Sequence, residues 1–124
     1  MNDIIFKEVH SDARRTIFAN SDILKGKEIS LINLNKLKAI GGCIHDKNEH
    51  CMLLSGTAIL FLNDQCISMS LNESYIIPKD TPHAFVSLFE EAIIMEWGIT
   101  EEEKKNNKKD KYLLNLINSL NNGI

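Results

Sequence analysis

The feature that most constrains this chain is a rhythm. Over residues 1–98, short apolar runs alternate with turn residues at intervals of roughly ten positions, the spacing of a sandwich or barrel. The pattern predicts strands at Ile4–Val9, Arg14–Ala19, Ile29–Asn33, Cys51–Leu54, Thr57–Leu62, Cys66–Leu71, Ser74–Ile77, Ala84–Leu88 and Ala92–Trp97. Asn63-Asp64-Gln65 reads as a compact hairpin turn, because Asn and Asp tolerate left-handed backbone angles. Lys25-Gly26-Lys27 and Asn72-Glu73 are further turn candidates. Closure would protect the edges of so many short strands, so the expectation is an all-β barrel or jelly roll.

The C-terminus changes character, which divides the chain into a barrel domain over 1–100 and a tail over 101–124. Thr100 followed by Glu103 reads as a helix capping box, and the stretch Lys104–Lys111 as a polar, solvated segment. Leu113, Leu116, Ile117 and Leu120 then form one apolar stripe of a helix, with Gly123 suited to the position after its end. This amphipathic helix is expected to dock on the barrel or on a second subunit.

A chain of 124 residues buries about two thirds of its unfolded surface and needs no metal or disulfide staple to fold. Residues 101–124 hold five Lys and four acids, leaving 9 bases against 13 acids in residues 1–100. A weakly acidic body does not favour nucleic acid, whose affinity rests on neutralising phosphates. No apolar run approaches the ~20 residues of a membrane span. The opening Met1-Asn2-Asp3-Ile4 lacks a basic region leading into an apolar core, so no secretory signal is expected. Three cysteines, Cys43, Cys51 and Cys66, without a Cys-x-x-Cys spacing, point to a reducing cytoplasm.

Chemistry concentrates in two segments: Gly41-Gly42-Cys43-Ile44-His45-Asp46-Lys47-Asn48-Glu49-His50, and Asn72 to Ser87 around Pro78-Lys79-Asp80-Thr81-Pro82-His83. Cys43 and His45 are two apart, so an extended backbone points both to one face. His45 and Glu49 are joined by a polar link that suits a turn back to the same cavity. Glu49, Cys51 and Leu53 share one face of the next strand, and His50, Met52 and Leu54 the other. A thiol, an imidazole and a carboxylate thus fall together, and one more imidazole would complete a mixed N/O/S site for a transition metal. Pro78 and Pro82 bracket a rigid turn that fixes the direction of His83.

These residues resemble the cupin superfamily. Its first motif has a glycine-led stretch, His-x-His, a Glu four residues on and a Gly seven residues after that Glu; His45, Glu49 and Gly56 match, with Cys43 in place of the first His. Its second motif is Gly, five residues, Pro-x-Gly, two residues, His, three residues, Asn. Pro78 and His83 match, while Asn72, Asp80 and Ser87 stand where Gly, Gly and Asn are usual. The resemblance covers about residues 28–98. It implies a six- to eight-stranded jelly-roll barrel whose metal site, carried over position by position, is Cys43, His45, Glu49 and His83. A thiolate at Cys43 would shift preference toward zinc, iron or nickel and away from manganese. Alternatively Cys43 is a neighbour, and His45, Glu49 and His83 form a facial triad with open positions.

A weaker resemblance lies in Asp12-Ala13-Arg14-Arg15, similar to the Asp-x-Arg-Gly start of barrel isomerases and epimerases acting on nucleotide-linked deoxysugars. It implies a metal-free site with His45 or His83 as general base and Arg14 or Arg15 reaching a diphosphate. Other residues read more plainly. His50 belongs to the surface or an interface, His10 to a polar N-terminal stretch, Cys51 and Cys66 to packing, and Tyr75 and Phe85 to the core. Glu96, inside an apolar run, either faces solvent or points into the cavity as an acid/base.

The expectation is therefore a cupin-type jelly roll, forming a homodimer, with one divalent transition metal ion. It would act as a small metalloenzyme of isomerase, lyase or oxygenase type on a small polar substrate, with Glu49 and His83 in the reaction. The alternatives are the metal-free sugar-nucleotide isomerase or epimerase and a non-catalytic small-molecule-binding module.

Overall fold

Eleven strands, the core-forming ones β3, β5 and β10 with alternating buried and outward side chains, lie among the residues that the computed structural model describes, 6–24, 27–100, 103 and 108–122. They are β1 Lys7–Ser11, β2 Arg15–Leu24, β3 Lys27–Leu34, β4 Ala39–Ile44, β5 Glu49–Ser55, β6 Ala58–Leu62, β7 Gln65–Ser68, β8 Ser74–Ile77, β9 His83–Ser87, β10 Ala92–Trp97 and β11 Lys108–Lys109. One helix, α1, spans Lys111–Asn122. The strands form two antiparallel sheets, in the orders β1-β2-β3-β10-β5-β8 and β11-β4-β9-β6-β7. The architecture is a jelly roll. The sheets keep separate edges rather than joining into one hydrogen-bonded cylinder.

Period-2 patterning puts Ile32 and Leu34 of β3, Cys51 and Leu53 of β5, and Ala92 and Ile94 of β10 on the inner face of the larger sheet. They meet Ile40 of β4, Leu60 of β6 and Phe85 of β9 in one core. The hairpin at Asn63-Asp64 is as read from the sequence, pairing Leu62 with Gln65 and placing Asn63 at φ 55°.

Several boundaries differ from the sequence reading. β4 was absent from it, because Gly41 and Gly42 erase the strand signature; they adopt φ 119° and 82°, and the β4–β9 register shifts between Gly41 and Cys43. β2 runs on to Leu24, five residues past the expected end at Ala19. The expected strand Cys66–Leu71 stops at Ser68, where the Met69 amide leaves the ladder to donate to the Ala58 carbonyl. The first strand sits at Lys7–Ser11; Ile4 and Ile5, the Lys25-Gly26 turn, residues 104–107 of the Lys104–Lys111 stretch and Gly123 lie outside the described residues.

Helix α1 covers the outer face of the smaller sheet, where Leu113 and Ile117 pack on Ala39 and Ala84. Leu116 and Leu120, the rest of the apolar stripe, stay partly open to solvent. A Cβ at Gly42 would lie 2.7 Å from Leu114 Cδ2, so glycine there lets the helix approach. The Asp110 carboxylate caps the helix by accepting from the Leu113 amide at 2.9 Å. Upstream, Thr100 and Glu103 exchange the two reciprocal bonds of a capping box, at 2.9 and 3.1 Å.

The other end of α1 is tied down by Asn121, whose Oδ1 accepts from the Ala39 amide and whose Nδ2 donates to the Ala39 carbonyl, both at 2.8 Å. Asn121→Ala strands both groups of a fully buried residue. It is expected to lower stability by about 1–2 kcal/mol, read as a lower urea midpoint at unchanged m-value.

Candidate metal centre

Two loops deliver the site. His45 ends the run from β4 and Glu49 opens β5, while His83 opens β9, whose ladder places it opposite Cys43. The loops are bonded to each other: the Asp80 amide donates to the His45 carbonyl at 2.7 Å, and the Lys79 amide to Asn48 Oδ1 at 2.8 Å. This cross-link fixes the two motif segments in one frame.

The left-handed positions explain how the second motif tolerates its substitutions. Asn72 and Asp80, which replace the usual glycines, have φ 62° and 59°. Asn and Asp are the non-glycine residues that adopt this region most readily, so the turn survives the change.

His45, Glu49 and His83 converge, with one ligand atom of each within 4.8 Å of the others. Glu49 Oε1 lies 3.8 Å from His45 Nε2 and 3.7 Å from His83 Nε2. The imidazole centroids are 5.2 Å apart at 46°. All three residues are buried, Glu49 completely. His83 Nδ1 lies 3.2 Å from the Thr81 carbonyl, so that nitrogen carries the proton and Nε2 presents a lone pair to the site.

The donor set fits a divalent transition metal. Two donors about 2.1 Å from a common ion at a tetrahedral angle stand roughly 3.4 Å apart, so the two glutamate–histidine separations need to close by only a few tenths of an ångström. Two imidazoles and one carboxylate are the facial triad that leaves coordination positions open. A divalent charge also answers the cost of burying a carboxylate this deeply.

Cys43 borders the same cavity but lies outside that group of three; its Sγ is 3.4 Å from Lys109 Nζ of β11. The cavity holds about 170 Å³, walled by Ile17, Ile32, Ile40 and Phe85 and, on its polar side, by Arg15 and Glu96. Glu96 takes the inward of the two orientations left open by the sequence: on β10 it sits between Ser30 and Cys51 of the flanking strands.

Of the two arginines, Arg15 reaches the cavity, while Arg14 pairs with Asp12 at 3.1 Å. Burial lowers the pKa of Arg15, and neighbouring Arg14 adds to this against the attraction of Asp12 and Glu96. The group nonetheless stays protonated at any physiological pH.

His50 projects from the opposite face of β5 and stacks on Trp97 at 5.5 Å and 13°, and His10 bonds to Asp12 at 2.6 Å. Burial drives the Cys51 thiol far up, with Glu96 and Glu49 adding to the shift, so its thiolate is suppressed. Titration of native protein with a thiol reagent should therefore modify exposed Cys66 promptly, and Cys51 only after denaturation. Prompt reaction at Cys51 would contradict this packing.

No protein-family model and no curated protein sequence matches the chain. Solved structures do. A cupin superfamily protein from Desulfitobacterium hafniense DCB-2 superposes with a TM-score of 0.55 at 14% identity, covering 81% of this chain and 80% of that one. Oxalate decarboxylase from Bacillus subtilis gives a TM-score of 0.70 at 12% identity, covering 86% of this chain and 30% of its own. AerE from Microcystis aeruginosa gives 0.68 at 15% identity, with 75% and 44% covered. This chain thus spans less than half the length of the last two. Identities this low carry the architecture and nothing finer: the fold is that of the cupins.

Proposed function

We propose that this cupin-fold chain is a small metalloenzyme that holds one divalent transition metal ion through His45 Nε2, His83 Nε2 and the Glu49 carboxylate. The observation carrying the reading is the convergence of those three donors at a buried spot, within 4.8 Å of one another and with Glu49 Oε1 3.7 and 3.8 Å from the two imidazoles. Cys43 borders the site as a neighbour of the three ligands; were it to supply a fourth donor, its thiolate would favour zinc, iron or nickel over manganese.

The ion would supply Lewis acidity to a small polar substrate. The chain's own groups do the rest. Thr81 holds His83 in one tautomer, and Glu49 and Glu96 are the carboxylates placed to accept and return a proton. Ile17, Ile32, Ile40 and Phe85 line the apolar side of the cavity, next to the reacting atoms. A cavity of about 170 Å³ suits a compact substrate. Isomerase, lyase and oxygenase chemistry all remain compatible with this site.

Elemental analysis of untagged protein, purified without chelator, tests the reading: about one ion per chain is expected. Less than about 0.1 per chain, with no uptake of zinc, iron, nickel or manganese, would overturn it.

The reading includes a homodimer and a reducing compartment that keeps all three cysteines as thiols. On the outward face of the larger sheet, Ile29, Leu31, Met52, Leu54, Ile93 and Met95 form a charge-free apolar centre, which the same face of a second copy would cover in a two-fold pair. Light scattering should give about twice 14.1 kDa; a monomer at micromolar concentration would contradict the pairing.

A further inference from the structure

Arg15 places a guanidinium on the cavity wall, and neither the metal ligands nor the proton-carrying carboxylates account for it. It stands on β2, three strands along the larger sheet from the ligand-bearing β5, yet its side chain reaches the cavity that His45, Glu49 and His83 line. Its Nε is buried, and among the described residues nothing accepts a hydrogen bond from it. A buried donor left unmade is costly, and a guanidinium is shaped to grip a carboxylate with two parallel bonds.

Charge points the same way. Counted with both carboxylates ionised, the wall without an ion sets Glu49 and Glu96 against the single guanidinium of Arg15 and repels an anion. A divalent cation reverses that balance, leaving one positive charge in excess. The remaining wall is aliphatic and aromatic, so a short carbon chain is accommodated next to the charged end.

We propose that the cavity selects a small carboxylate whose charged end is gripped by Arg15, and that Arg15 is the specificity-determining residue of the site. The inference rests on the metal-centre reading, because the ion sets the sign of the cavity.

Isothermal titration of the zinc-loaded full chain with propionate and with propionamide tests it, with zinc content measured on each sample. Propionate is expected to bind and propionamide not to bind. Arg15→Gln should weaken propionate roughly 10- to 100-fold at unchanged zinc content, and Arg15→Lys should recover part of the loss. If zinc is retained but Arg15→Gln binds propionate as the wild type does, the inference falls while the metal centre stands. If the variant does not fold, the wild-type pair decides: equal affinity for acid and amide, or no binding of either, overturns the proposal. A chain that takes up no zinc, iron, nickel or manganese removes the metal-centre reading and this inference with it.

Discussion

Replacing His83 with alanine is expected to weaken metal binding by more than about 100-fold. Loss of a group that merely orients a ligand costs 10- to 100-fold, and loss of a ligand itself exceeds that. His83 contributes one of two imidazoles, its Nε2 sits 3.7 Å from Glu49 Oε1, and its proton is held on Nδ1 by Thr81. Removing it leaves His45 and Glu49, a pair too small to enclose an ion. Competition with a chromophoric chelator measures the change. His50→Ala is the matched control, since that ring stacks on Trp97 on the opposite face and should leave the affinity within about twofold. Wild-type affinity in His83→Ala would contradict the assignment.

The second large effect concerns Gly56, the glycine that follows Glu49 by seven residues, in the turn between β5 and β6. Its φ is +81°, and a Cβ built on it would lie 1.8 Å from the Glu91 carbonyl oxygen and 3.0 Å from Ala92 Cα. Both obstacles are backbone, so no rotamer relieves them. Gly56→Ala is expected to cost at least about 3 kcal/mol, from the backbone strain and the displacement of β10. For a chain of this size that lowers Tm by roughly 10 °C or more in a thermal melt. An unchanged Tm would mean that the β5–β6 turn is not held against β10.

Much of this architecture is legible in the residues themselves. Strands β6, β8, β9 and β10 lie within a residue of the runs expected for them, because each is a short apolar segment bounded by turn residues. The two histidine segments are legible because few physical demands other than a shared site put imidazole, carboxylate and thiol at those spacings. β4 was hidden for the opposite reason. Its two glycines serve close approach, Gly41 to the backbone at His83 and Ala84 and Gly42 to Leu114, and neither need is visible without the partner element.

Glu96 shows a different limit. Its run Ile93-Ile94-Met95-Glu96-Trp97 is apolar on both faces, so alternation does not say which face meets the cavity. The choice between Arg14 and Arg15 is set by a single residue of register in β2, which adjacent identical side chains cannot reveal. Asn72 and Asp80 are the instructive departures. They break the motif as letters and keep it as backbone, because what the turn needs is a positive φ.

The central claim is that His45, Glu49 and His83 share one ion. X-ray absorption at the edge of the bound metal measures this most directly. The account predicts a first shell with two imidazole nitrogens at about 2.0–2.1 Å and carboxylate oxygen at about 2.0–2.2 Å, reduced by one imidazole in His83→Ala. A shell of oxygen alone, or one unaltered by that substitution, would contradict it.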